Sequence, residues 1–227
     1  MKRLNHIPLL TLLLVAVFMS ACNTVRYAAT DLESQALTHQ EVAVLPVEIN
    51  YSGPIPKKLS REQLMDIDTR ESLLYQNSLY HQLLRKSHKY PTIDLQPIER
   101  TNSMLQAQNI SPIEAWSMDP QELAQLLGVD AVVRATVDES RYLSDGTALG
   151  IDIARTILFE DSWFAGFGDT KTADVRASYA IFDAATGKML WKMAVIREAD
   201  WNDRPEEVVN GVNRKIARNF PYQFKFQ

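Results

Sequence analysis

The sequence predicts an α/β fold, one mixed β-sheet with helices packed on it, in the order β-α-β-α-β-β-β-α. Three observations carry this. Short β-branched runs alternate with helical segments through the first half of the chain, the pattern of strands joined by helices. Two alternating runs flank Asp183-Ala184-Ala185-Thr186-Gly187, which reads as a hairpin turn. An amphipathic run from Pro205 to Phe220, with Val208, Val209, Val212 and Ile216 at helical spacing, closes the order. At 227 residues, 46% hydrophobic and 23% charged, the chain can bury a core without disulfides or a metal.

Val42-Ala43-Val44-Leu45-Pro46-Val47 is a buried strand, with Pro46 near its end or at a bulge. Asn50 to Pro56 is a loop by turn chemistry. Ser60 caps a helix reaching about Lys86, with Gln63 as its capping-box partner. Leu73, Tyr80 and Leu84 read as its apolar face with Leu64, Ile67 and Leu74 nearby, and Gln76 and Gln82 fall in the polar remainder. Pro91 ends it. Thr92 to Ile98 alternates polar and apolar residues, a half-buried strand, and Arg100 to Gln108 is a short helix. Asp119 caps the next helix, with Pro120 in its first position, Glu122 closing the box and Gly128 stopping it. Val129 to Val137 is a strand, and Ala173 to Phe182 and Lys188 to Ile196 form the hairpin.

Residues 144–170 fit no period. Trp163, Phe164 and Phe167 lie there among Gly150, Gly166 and Gly168. These aromatics either cover the core or meet a partner. They are the candidate interface, for self-association or for another protein, because Trp and Phe are enriched in interface cores.

The amino terminus is an address. Lys2 and Arg3 precede an apolar run from Ile7 to Phe18. At about twelve residues it is too short to span a bilayer but the right size for a signal peptide. Met19-Ser20-Ala21-Cys22 resembles the bacterial lipoprotein processing box, with Met in the usual Leu position. The resemblance implies removal of residues 1–21 and acyl chains on Cys22, which hold a protein firmly once there are two or three. The alternative is a secreted protein cut after Ala21. Asn23, in place of the Asp that retains enteric lipoproteins in the inner membrane, points to the outer membrane and its periplasmic face. Asn23 to Gln40 is polar and aperiodic, so residues 22–40 read as a flexible tether, about 60 Å long if fully extended. Residues 41–227 are then one periplasmic domain.

Processing removes Lys2 and Arg3 from 24 basic residues and none of the 28 acidic ones, taking the net charge from −4 to −6. An acidic chain of this kind lacks the basic surplus of a nucleic-acid binder.

Three segments carry a family resemblance: Val42-Ala43-Val44-Leu45-Pro46, Glu122 to Val133 with its Leu-Gly-x-Asp step, and Phe182 to Trp191 with its aspartate, Thr-Gly and Trp. Together they resemble the curli-secretion-channel lipoprotein superfamily. That superfamily includes the Pel-polysaccharide-export lipoprotein, the penicillin-binding-protein-activating lipoprotein, and a neisserial antigen family of unknown function. Thr101-Asn102-Ser103-Met104-Leu105 looks most like the last of these. The resemblance covers about residues 41–220 and implies a non-enzymatic component of the cell envelope. The amphipathic strand pairs with which curli-type channels build a barrel are not evident.

No reaction chemistry stands out. One cysteine excludes an internal disulfide and any zinc site with several thiolates. After processing the histidines are His39, His81 and His88. His81 and His88 stand about 10.5 Å apart along a helix, too far to share an ion, so no metal site is expected. There is no Gly-x-Ser-x-Gly elbow. Glu160-Asp161 and Glu206-Glu207 read as solvated surface. Gly166-Phe167-Gly168 precedes a strand and not a helix, so it is not a phosphate loop.

The expected protein is a non-enzymatic lipoprotein without cofactor beyond the acyl chains on Cys22. It contacts the membrane through that anchor and works with envelope proteins as an assembly or scaffold part of a transport or export system. The alternative is an outer-membrane activator of a peptidoglycan synthase. A small-ligand or glycan-binding enzyme-like domain ranks last.

Overall fold

The computed structural model describes residues 24–52, 60–90, 92–140, 173–199 and 205–223. Seven strands make one mixed sheet: β1 (Thr24–Ala28), β2 (Glu41–Val44), β3 (Glu48–Ser52), β4 (Asp94–Leu95), β5 (Ala131–Ser140), β6 (Ala173–Asp183) and β7 (Met189–Ala199). Six helices pack with it: α1 (Leu32–Ala36), α2 (Arg61–Leu84), α3 (Ile98–Ala107), α4 (Pro112–Ser117), α5 (Pro120–Leu127) and α6 (Pro205–Arg218). The α/β mixed-sheet expectation holds.

The sheet runs β1-β7-β6-β5-β2-β4, with β3 also on β5. β2 and β3 each pair parallel with β5 and β4 pairs parallel with β2, helices lying between β3 and β4 and between β4 and β5, while β5, β6, β7 and β1 pair antiparallel. α2 and α6 cover one face over Val133, Ala135, Val137, Ala177, Tyr179 and Met193. α3, α4 and α5 cover part of the other, over Ala43, Leu45 and Val132.

Helix ends follow their sequence signals. Ser60 and Gln63 form the capping box of α2. Asp119 caps α5 through the Gln121 N–H at 2.7 Å, so the cap bond goes one residue earlier than the Glu122 box implies. Gly128 takes the left-handed conformation, φ 66°, that lets a helix stop without Cβ strain. Ser111 and Glu114 make a second capping box, which starts α4.

Four expectations need correction. The stretch 23–40 is not a tether from Thr24 onward: β1 pairs with β7, Thr24 opposite Val195 and Ala28 opposite Trp191, and α1 follows. A five-residue edge strand shows too little alternation to register in a sequence, and tertiary pairing supplies the rest. The strand expected over 42–47 stops at Val44, and a separate strand, β3, starts at Glu48; the two pair with successive parts of β5, and Pro46, without an N–H, sits in the break. Asn50 to Ser52 continue β3 instead of forming a loop. The strand expected over 92–98 shrinks to Asp94–Leu95.

The buried face of α2 also differs. Ile67, Glu71, Tyr75, Leu79 and Leu83 face the core together with Gln76 and Gln82, whereas Leu84 is exposed. Gln76 is tolerated there because its Nε2 donates to the Val44 carbonyl at 2.8 Å, and its amide pairs with that of Asn102. A buried amide with every bond made carries little penalty.

Candidate functional site

Cys22, Trp163, Phe164 and Phe167 lie outside the described residues. The flanking strands fix where their segments leave the fold. Thr24 pairs with Val195, Ser52 with Ser140, Asp174 with Ser140, and Ala173 with Ala199. These registers gather the start of β1, the ends of β3, β5 and β7, and the start of β6 at one end of the sheet. The residue that carries the proposed anchor and the segment that carries the three aromatics therefore attach at the same end.

That end holds buried polar groups that sequence reading missed. Glu71 of α2 and Glu139 of β5 are 3% and 6% exposed. Tyr51 donates to Glu71 Oε2, and Tyr75 donates to Glu139 Oε1 at 3.2 Å. Burial first, then the Glu139 charge, pushes the Tyr75 phenol well above its ordinary pKa. Tyr179 donates to Asn213 Oδ1, whose amide donates to the Tyr75 carbonyl at 3.0 Å. Tyr75 therefore stays protonated and supplies a hydrogen bond to the Glu139 carboxyl. Nothing in the sequence separates Glu71 from the neighbouring surface acids of α2; only its place on the buried stripe does.

The opposite end holds a second buried cluster. His39 Nδ1 lies 2.6 Å from the Tyr222 hydroxyl and Nε2 lies 2.9 Å from Asp183 Oδ1. A carboxylate only accepts, which places a proton on Nε2. Asp183 Oδ2 accepts from the N–H of Thr186 at 2.7 Å and from its hydroxyl at 2.5 Å. Burial raises the Asp183 carboxyl pKa, but the bonds from Thr186 and His39 outweigh it and hold the group below its ordinary range. Burial, then the charges of Asp183 and Asp130, pushes the Tyr222 phenol up. All three side chains are sealed from solvent. The cluster clasps the chain before β2, the hairpin and the carboxy-terminal segment together. The Asp, Thr and Gly of the hairpin motif are thus explained by structure: Asp183 holds Thr186, and Gly187 adopts φ 68°.

Among the described residues no three His, Cys, Asp or Glu side chains are placed to hold a metal ion. No described helix is long and apolar enough to cross a membrane.

No protein-family model matches the chain, and no curated protein matches it. It is similar to several solved structures. The PelC dodecamer from Paraburkholderia phytofirmans is 13% identical, with 90% of this chain and 99% of that chain covered, at a TM-score of 0.41. Lipoprotein GNA1162 from Neisseria meningitidis is 12% identical, with 79% and 96% covered, at 0.42. The LpoB C-terminal domain from Salmonella enterica is 11% identical, with 75% and 95% covered, at 0.34. At these identities and scores the likeness assigns neither a family nor a role.

Proposed function

We propose that this chain is a lipid-anchored envelope lipoprotein, without enzymatic activity, that serves as an assembly or scaffold component of a transport or export system. Cys22 carries the acyl chains, and the domain sits on the periplasmic face of the outer membrane. The observation that carries the reading is the distance from Cys22 to the fold. Thr24 already pairs in the sheet, and two residues of extended chain span about 7 Å. The domain is therefore held against the bilayer, which suits a part built into a membrane-bound assembly.

The same observation ranks the alternative second. An activator that reaches a peptidoglycan synthase needs a long tether. Residues 24–40, which would have supplied it, are tied into the fold by β1, by the Asp31–Lys188 ion pair at 2.7 Å and by His39.

Radiolabelled palmitate tests the anchor. Label enters the wild type and is absent from Cys22→Ser; label retained by Cys22→Ser ends the proposal. Affinity capture of the native, detergent-solubilised protein, read by mass spectrometry, tests the assembly role. Recovery of the chain alone argues against it. Trp163, Phe164 and Phe167 are the proposed self-association or partner surface. Trp163→Ser with Phe164→Ser should lower the mass read by light scattering without unfolding the domain.

A further inference from the structure

The end of the fold farthest from Thr24 carries a surface that the scaffold reading does not use. α2 and α6 both finish there. The turn after α2 presents Arg85, Lys86 and Lys89, and the last turn of α6 presents Arg218; Arg85, Lys89 and Arg218 are exposed. The two elements are locked together. Tyr90 N–H donates to the Ser87 carbonyl at 2.8 Å, and the buried Tyr90 hydroxyl donates to the Ala217 carbonyl at 3.4 Å.

Among the described residues no acid pairs with any of these four cations. Partial desolvation, then repulsion from Lys89 and Arg218, holds the Lys86 ammonium below its ordinary pKa. Several carboxylates at this end are engaged elsewhere, and the exposed Glu33 and Asp94 make no ion pair with these cations among the described residues. Asp31 pairs with Lys188, Asp183 with His39, and Glu41 with Arg100; Asp130 accepts from the N–H groups of Gln40 and Glu41. The two helix C-termini contribute about half a negative charge each, which offsets roughly one of the three mutually repelling cations. A net positive site remains on a chain of net charge −4.

We propose that Lys86, Lys89 and Arg218, flanked by Arg85, form a docking site for a carboxylate-rich segment of a partner protein. The cations stand on a rigid turn and a helix end, so the site is formed before the partner arrives. The acidic remainder of the chain repels an extended polyanion and leaves room for a short acidic segment. The direction of the site rests on the anchoring proposed above: with Cys22 in the membrane, this end points away from the lipid headgroups. A second copy anchored in the same leaflet cannot offer the acidic start of its α2, Glu62, Asp66 and Asp68, to it.

Fluorescence anisotropy of a labelled oligoglutamate peptide, titrated with the full-length protein in detergent micelles, tests the site. Binding should weaken as salt rises. The combined variant Lys86→Glu, Lys89→Glu, Arg218→Glu should lower affinity by about tenfold or more and Lys89→Glu alone by about threefold or more, whereas Lys192→Glu, one such charge reversal on exposed β7, should stay within about twofold. An unchanged Tm shows that the charge reversals leave the fold intact. Absence of binding by the wild type, or an equal loss with Lys192→Glu, overturns the proposal. Tighter binding of inorganic polyphosphate or of phosphatidylglycerol vesicles than of the peptide overturns the choice of an acidic protein partner. The readout is in detergent, so a failed palmitate experiment and a failed docking experiment are separate results.

Discussion

His39 Nε2 and Asp183 Oδ1 face each other at 2.9 Å, in a site where the residues are 3% and 2% exposed and 144 positions apart in sequence. With Tyr222 they tie the two ends of the chain to the hairpin. Most of the fold's polar burial is of this sort: each group is affordable only because a distant residue completes it.

Asp183→Ala should destabilise the domain by about 3 kcal/mol, since it leaves the His39 N–H and the Thr186 donors unpaired. The effect depends on pH with a definite sign. The folded carboxyl is held below its ordinary pKa, so its contribution is complete above the unfolded value of about 3.9 and fades as pH falls through the lower folded value. Urea midpoints of wild type and variant should differ most near neutral pH and approach each other as pH falls through and below the lowered folded value. A constant difference at every pH would show that the carboxylate charge is not what matters.

The turn glycines should separate strain from contact. Gly128 has φ 66° and open space where a Cβ would stand, so Gly128→Ala should cost about 1 kcal/mol from backbone conformation alone. At Gly187, φ 68°, the added Cβ would lie 2.9 Å from Gln121 Oε1. That contact also disturbs the bond from Gln121 Nε2 to the Ala185 carbonyl. Gly187→Ala should therefore cost more than Gly128→Ala in chemical unfolding, and Gln121→Ala in the Gly187→Ala background should recover part of the excess.

What the sequence made legible follows from range. The capping box at Ser60, the stop at Gly128 and the hairpin at Asp183 to Gly187 depend on residues a few positions apart, and each was readable. β1 depends on Val195 to Trp191, far along the chain, so a short polar-looking segment passed for a tether. Gln76 and Gln82 read as surface because their partners lie on other elements. His39 sat in the same presumed tether, with nothing nearby to mark it as buried.

Gln76 gives the sharpest test of such a partner-dependent residue. Gln76→Leu removes the donor to the Val44 carbonyl and strands the Asn102 amide, which should cost about 2 kcal/mol despite the added apolar surface. Asn102→Ala combined with Gln76→Leu should cost less than the sum of the single changes. The double-mutant cycle in urea should show a coupling of about 1 kcal/mol. Strict additivity would mean that the amide pair contributes nothing on its own.

The proposed anchor fixes how the domain sits. Ile196 adjoins the β1 start, one residue past the Thr24–Val195 pair, and is 39% exposed, while Ala185 lies exposed in the hairpin at the far end of β7. The strand from Met189 to Ile196 puts seven steps, roughly 23 Å, between them, with the turn beyond. Cys22 is the only natural cysteine, so once acylated it leaves an introduced thiol as the single labelling site. A fluorophore on Ile196→Cys should be quenched strongly by nitroxide lipids in reconstituted vesicles, and one on Ala185→Cys weakly. With about 7 Å of chain between Cys22 and Thr24, the domain has little freedom to turn over. Equal quenching at both positions would mean that β1 detaches from β7 at the membrane and acts as the tether after all; stronger quenching at Ala185 would invert the proposed orientation.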